Sequence, residues 1–266
     1  MSKAKIEIIG KAGNVDNPSD NAIVFKVTDG LGKLECAYGK PDSDDYAYKH
    51  LLLNGKPIVQ GYCPTECPTC QGLLAAGYGT DNIDCKELDT VRSCLNGEYA
   101  NPETAFEALK PFLNLLEDGF YALADIEYYP TDGNGRFFCS VPNSLAKNPA
   151  VCECYYNDYF SDVTDCVPLF LYPTQSADAI NQKRVEYYID LLKNNGNVRG
   201  FAYHQYGFVS ELLDGHHKAT AAAMLGKKKY AVLLLFPSMD TTVPKSTRKQ
   251  PKKYISAIMN MLPLSR

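Results

Sequence analysis

No apolar run in the 266 residues approaches the ~20 consecutive positions that a helix needs to cross a bilayer, which excludes a helical membrane span from the reading. The opening stretch MSKAKIEIIG alternates charge with short apolar runs instead of forming the apolar core of a secretory signal. No internal repeat and no low-complexity segment is present. Without an export signal, and in a chain that can build a core without staples, the ten cysteines are expected as reduced thiols. The expected location is the cytoplasm.

What is present is sufficient for folding. With 45% apolar residues the chain can bury one large or two modest cores. The net charge of −4 is unevenly placed: from Met224 onward nine Lys/Arg stand against one acidic residue, so the tail is strongly basic and the remainder acidic. A stretch such as KSTRKQPKK can meet nucleic acid, phosphate or an acidic partner, but a solvated face or neutralisation against the acidic body is the commoner outcome. Nucleic-acid binding is therefore not the favoured expectation.

The chain divides into three segments by rhythm. Residues 1–100 read as a β-rich, cysteine-containing region with strands in KIEIIG, AIVFKVTD and HLLLNGKPIVQGY, the last with Asn54-Gly55 at a hairpin turn. Residues 101–165 read as a connecting region of one helix and one hairpin. Asn101 is the expected helix cap, Pro102 the first helical residue, Pro111 a kink or division and Gly119 the stop. The hairpin is expected around TDGNG, residues 131–135. Residues 166–266 alternate strand and helix: VPLFLY, then SADAINQKRVEYYIDLLKNNG with Ser176 as cap, then GFVSELLD, an alanine-rich helix, and YAVLLLFP, followed by the basic tail. The expected fold class is α+β: a β-rich region with a cysteine metal site, plus a C-terminal α/β domain.

The stretch LLDGHHKATAAAMLG carries the clearest chemistry. A strand that ends at Asp214, turns at Gly215 and enters a helix at His216 aims backbone N–H groups and the positive end of the helix dipole at one place, where anions collect. Gly215 permits positive φ and close approach of a ligand, and the alanines let the helix pack close to a sheet. His216, His217 and Lys218 add donors at the same helix start. Arg184, on the preceding helix, is a further candidate to reach a phosphate or to pair with Asp214.

With YPTQ, NQKRVEYYIDLL, LLDGHHKATAAAMLG and YAVLLLFP in that order, residues 167–237 resemble the ParB/sulfiredoxin-like superfamily of nucleotide-binding domains. The DGHHK spelling is closest to its free-serine-kinase-like members. The resemblance implies a nucleotide, ATP or another, with phosphates on Gly215, His216, His217 and Lys218, and Mg²⁺ or a hydroxyl group near Asp214. It also implies catalytic duties for Asp214, His216 and His217 in an ATPase or a kinase for a small hydroxyl substrate. Sulfiredoxins place a cysteine where this chain has His216, so repair of sulfinic acid is not implied. Those kinases are expected to use a glutamate where this chain has Gln175, which an amide cannot replace as a proton acceptor. Glu186, Glu211 or Asp214 would have to take that duty. A non-catalytic, nucleotide-gated regulator that binds DNA or a protein partner is the alternative from another class.

Cys63, Cys67 and Cys70 lie within eight residues in GYCPTECPTCQG, and three soft ligands so close point to a metal, structural zinc first. Cys85 is the nearest candidate for the fourth ligand, with Cys94, Cys139, Cys152 and Cys154 as substitutes. The CxxxCxxC spacing also spells the iron–sulfur loop of radical S-adenosylmethionine enzymes. Those enzymes usually need a long partial barrel after the loop, and the helix-and-hairpin rhythm that follows here does not supply one.

Overall fold

The computed structural model describes residues 4–12, 22–38, 48–62, 72–81, 83–96, 101–128, 150–155, 170–175, 179–206, 209–227 and 230–237. Along them run β1 (Lys5–Ala12), β2 (Ala22–Thr28), β3 (Leu34–Tyr38), β4 (Tyr48–Leu53), β5 (Lys56–Tyr62), β6 (Gly72–Gly77), α1 (Glu87–Asn96) and α2 (Pro102–Leu113). The chain continues through β7 (Gly119–Tyr128), β8 (Ala150–Tyr155), β9 (Phe170–Pro173), α3 (Gln182–Lys193), β10 (Gly200–Tyr206), β11 (Val209–Asp214), α4 (His216–Met224) and β12 (Tyr230–Pro237). The fold is mixed α+β, rich in strands.

Several elements follow from local sequence. Asn54 and Gly55 both take positive φ, +52° and +70°, which is the type I′ turn that joins β4 to β5. The Asn101 side chain accepts the Thr104 N–H at 2.9 Å and Pro102 opens α2, so that helix begins where its sequence signals place it. It runs on through Pro111 and ends at Leu113, well short of Gly119. Pro111 removes a single N–H near the C-terminus, where a helix is already giving up its regular bonds. The chain then tightens, with Leu115 N–H donating to the Phe112 carbonyl at 2.9 Å. The cap of α3 is Asn181, whose side chain accepts the Arg184 N–H at 3.2 Å; Ser176 and the 131–135 turn lie outside the described residues.

The larger sheet orders its strands β1-β2-β7-β12-β10-β11-β9, and the smaller β3-β4-β5-β6-β8. In the larger sheet β9 runs parallel to β11 and β10 parallel to β12, while the other pairs are antiparallel. Strand β7 bonds to β2 on one side and β12 on the other, so segments 1–100, 101–165 and 166–266 all contribute to one sheet. Strand β10 was not singled out in the sequence, and it is what separates β11 from β12.

The central strands are apolar on both faces, and the period of two sorts them. Ile23, Phe25, Tyr121, Leu123, Leu233 and Leu235 join one core, into which α1, α2 and the smaller sheet send Val91, Phe106, Phe112 and Leu51. The Phe25–Phe106 and Phe112–Phe201 ring pairs, 5.1 and 5.3 Å apart at their centres, lie in it. Val24, Ala122, Ala124, Val232 and Leu234 face the opposite core, where Val185 and Tyr188 of α3 and Ala219, Ala221 and Ala222 of α4 close the layer. Ala219, Ala221 and Ala222 are fully buried, which lets α4 approach the sheet closely.

Candidate functional site

The strand-to-helix turn after β11 is the turn expected from LLDGHHK. Gly215 has φ +105° and ψ 17°, a left-handed conformation that a side chain resists, and no side chain caps α4. Glycine is required here by packing as well. A Cβ at Gly215 would stand 2.8 Å from both the Gly200 Cα and the Tyr230 hydroxyl. The space beside this Cα thus belongs to β10 and β12, not to an approaching ligand.

The three residues that follow are less open than donors at a helix start were expected to be. His216 is 4% exposed, and its Nε2 accepts the Gln175 N–H at 3.1 Å. Thr174 Oγ1, which donates to the Leu212 carbonyl at 2.6 Å, stands 3.5 Å from the same nitrogen. Burial holds the His216 pKa down at about 4, against the pull of Asp214 in the other direction. It is a neutral imidazole used as an acceptor. His217 is half-buried and its Nε2 accepts the Asn181 N–H at 2.9 Å. Burial lowers its pKa, Arg184 lowers it further, and Asp214 and Asp81 oppose. The two histidines therefore fasten Gln175 and Asn181 to the start of α4.

Lys218 departs furthest from the reading of the sequence. Its side chain is 3% exposed, and Nζ donates to Asp214 Oδ2 at 3.4 Å and to the Leu95 carbonyl at 3.3 Å. The ammonium lies 5.7 Å from the centre of the Tyr188 ring. Burial lowers its pKa, and Asp214 is the chief opposing influence. The spacing from Asp214 to Lys218 is i to i+4, which brings the two side chains to one face despite the turn between them. Asp214 retains 24% exposure and so presents its carboxylate to solvent from one side.

Arg184 is exposed in the first turn of α3 and influences His217, Lys218 and Tyr188 electrostatically. It also lines an open pocket of about 350 Å³ between α3 and the end of α1, together with Asn96, Lys183, Tyr187, Tyr188 and Asn197. The Tyr188 hydroxyl donates to Asn96 Oδ1 at 3.0 Å, and Tyr187 is 59% exposed beside it. Tyr188, Leu95 and Arg184 are shared between this pocket and the surroundings of Lys218, so the pocket lies beside the buried Lys218 ammonium, although none of residues 214–218 lines it.

The carboxylates named from the sequence separate clearly. Glu211 is buried at 6% exposure in β11, whereas Glu186 is exposed on α3, accepting from Gln182 at 3.3 Å. Neither joins the group around Asp214. A carboxylate that the sequence did not single out does so: Asp81, from the loop after β6, accepts from Gln175 Nε2 at 2.8 Å. No local signal marks Asp81 or Asn96, because their place depends on pairs 94 and 92 residues apart in the chain.

Cys63, Cys67 and Cys70 lie outside the described residues. Cys85 is a half-buried free thiol that donates to Glu87 Oε2 at 3.4 Å, and burial raises its pKa. Among the described residues no group of three or more His, Cys, Asp or Glu is placed to hold a metal ion. Likewise, no helix among them is long and apolar enough to cross a membrane. Compared with protein-family models, curated proteins and solved structures, the chain matches none.

Proposed function

We propose that this chain binds a nucleotide, with the phosphates at the start of α4 and the base and sugar along the pocket beside α3, in the manner of a ParB/sulfiredoxin-like domain. The observation that carries the reading is an uncapped helix start whose Lys218 reaches Leu95 and Tyr188, two residues lining a tyrosine-bearing pocket of about 350 Å³ that also holds the exposed Arg184. An uncapped N-terminus offers N–H donors and positive potential to an anion. Two rings, two asparagine amides and two cations beside it match the flat, polar and charged parts of a nucleotide.

The residues divide the work by exposure. Arg184 makes the direct charge-assisted contact to phosphate, and Lys218 adds a buried positive charge beneath it while holding Asp214 in place. Gly215 and His216 fix the turn, and His217 ties the turn to α3. Mg²⁺, when bound with the phosphates, would be faced by Asp214 from its exposed side and would neutralise the charge of the phosphoryl group. Turnover as an ATPase or as a kinase for a small hydroxyl substrate, or binding alone in a nucleotide-gated regulator, are the two uses of such a site.

Calorimetric titration of ATP, ADP and CTP, with and without Mg²⁺, tests the reading. At least one nucleotide should bind, and Arg184→Ala should weaken it roughly tenfold to hundredfold, the equivalent of about 1.5 to 3 kcal/mol for a charged hydrogen bond. At ~100 times its dissociation constant the bound nucleotide should add about 2.7 kcal/mol of stability. Absence of binding by all three, or unchanged affinity in Arg184→Ala, would remove the proposal.

A further inference from the structure

A phosphoryl transfer at the α4 turn would need a group to accept the proton of the attacking hydroxyl, and the carboxylates already described are poorly suited to it. Asp214 is tied to the buried Lys218 ammonium, Glu211 is enclosed in the core, and Glu186 accepts from Gln182 on α3, apart from the group around Asp214. Asp81 differs from all three. Its side chain is 63% exposed, yet it is held in place: Gln175 Nε2 donates to its Oδ2 at 2.8 Å and Arg92 stands 3.7 Å from its Oδ1.

Gln175 connects Asp81 directly to the turn. Its main-chain N–H donates to His216 Nε2 at 3.1 Å while its side-chain amide donates to Asp81. The loop that carries Asp81 is laid against the same residues. A Cβ at Gly77 would fall 2.6 Å from the Thr174 carbonyl oxygen, and Gly79, at φ +70°, sits beside Gln175. Bare backbone at Gly77 is what allows the end of β6 to touch residue 174.

We propose that Asp81 is the proton-accepting carboxylate of this site, contributed by the loop after β6 to the nucleotide site at α4. The inference rests on the nucleotide reading and adds a reaction to it, with a nucleoside triphosphate as donor and an alcohol or water as acceptor. The acceptor O–H bond breaks and its proton passes to Asp81. The acceptor oxygen forms a bond to the terminal phosphorus, and the bridging P–O bond breaks to release the nucleoside diphosphate. Asp81 is exposed enough to meet an acceptor from solvent, and Gln175 is its positioning residue.

The test measures nucleoside diphosphate and phosphate formed from ATP and CTP with Mg²⁺, with water alone and with serine, glycerol or glucose added as acceptor. Asp81→Asn keeps the shape and should lower kcat roughly a hundredfold or more, as expected when a positioned base is lost, with nucleotide Kd and melting temperature unchanged. Gln175→Ala should lower kcat less, and the double exchange Asp81→Asn with Gln175→Glu should restore part of it by returning a carboxylate to the pair. If wild type binds nucleotide and Asp81→Asn turns over as fast, or if wild type binds nucleotide and turns over none of these mixtures, Asp81 is not a base and the binding reading stands alone. If no nucleotide binds, both readings fall together.

Discussion

Replacing Lys218 separates packing from charge at the centre of the site. Its side chain is 3% exposed, lies 5.7 Å from the centre of the Tyr188 ring and pairs with Asp214 at 3.4 Å. Lys218→Ala removes three buried methylenes, at about 0.8 kcal/mol each, and leaves a cavity that α4 cannot fill without moving. It also leaves Asp214 without its cation, but that carboxylate is 24% exposed and regains water, so this part is small. The expected loss is roughly 2 to 4 kcal/mol, or about 4 to 16 °C in Tm for a chain of this size. Lys218→Met keeps the volume and relieves the desolvated ammonium, so it should stay within about 1 kcal/mol of wild type. Urea denaturation of the three proteins at pH 7 and low salt gives the values directly. A Lys218→Ala protein as stable as wild type would refute the reasoning, because it would mean that the side chain is free in solvent and the packing around it is absent. A Lys218→Met protein that loses as much as Lys218→Ala would show that the ion pair, not the stem, carries the stability.

Two further outcomes are expected. His216 has a folded pKa of about 4 against an unfolded value near 6.5, so the unfolded chain binds the extra proton between those values. Its contribution is fully present above about pH 6.5 and is lost as pH falls towards 4, by roughly 2 to 3 kcal/mol at pH 4.5, with His217 shifting in the same direction. Denaturation midpoints at pH 7 and pH 5 should converge for wild type and His216→Gln as pH falls; parallel lines would show that His216 is not buried neutral. For the cysteines, purified protein should contain close to one zinc per chain, and Cys67→Ser or Cys70→Ser should release it and lower the melting temperature. Elemental analysis decides the matter: a brown protein rich in iron would favour the iron–sulfur reading, and metal-free protein of full stability would remove both.

The sequence determined by itself those features whose causes are local. Asn101 and Pro102 start a helix because a capping oxygen and a fixed φ act within one turn. Asn54-Gly55 makes a hairpin because few residues tolerate two successive positive φ angles, and DGH marks a strand turning into a helix for the same reason at one position. The apolar strands AIVFKVT and YAVLLLFP were legible as strands, and their burial on both faces in the structure agrees with their near-continuous apolar runs. What the pattern could not carry is which strands meet. Strand β10 pairs with β12 as well as with its hairpin partner β11, and β7 joins β2 to β12; the β10–β12, β2–β7 and β7–β12 pairings each close loops of many residues. That same assembly decided the chemistry of the site. The sequence places Lys218 beside a glycine turn, where a lysine is ordinarily solvated; only the arrival of Leu95, 123 residues earlier, and of the Tyr188 ring makes it a buried charge. His216 becomes a neutral acceptor because Gln175 brings its N–H there, and Asp81 enters the site because the bare backbone at Gly77 lets β6 lie against Thr174. Identity and spacing fix the groups a chain can offer, whereas burial and partners fix their charge and reach, and these depend on contacts that no short window of sequence contains.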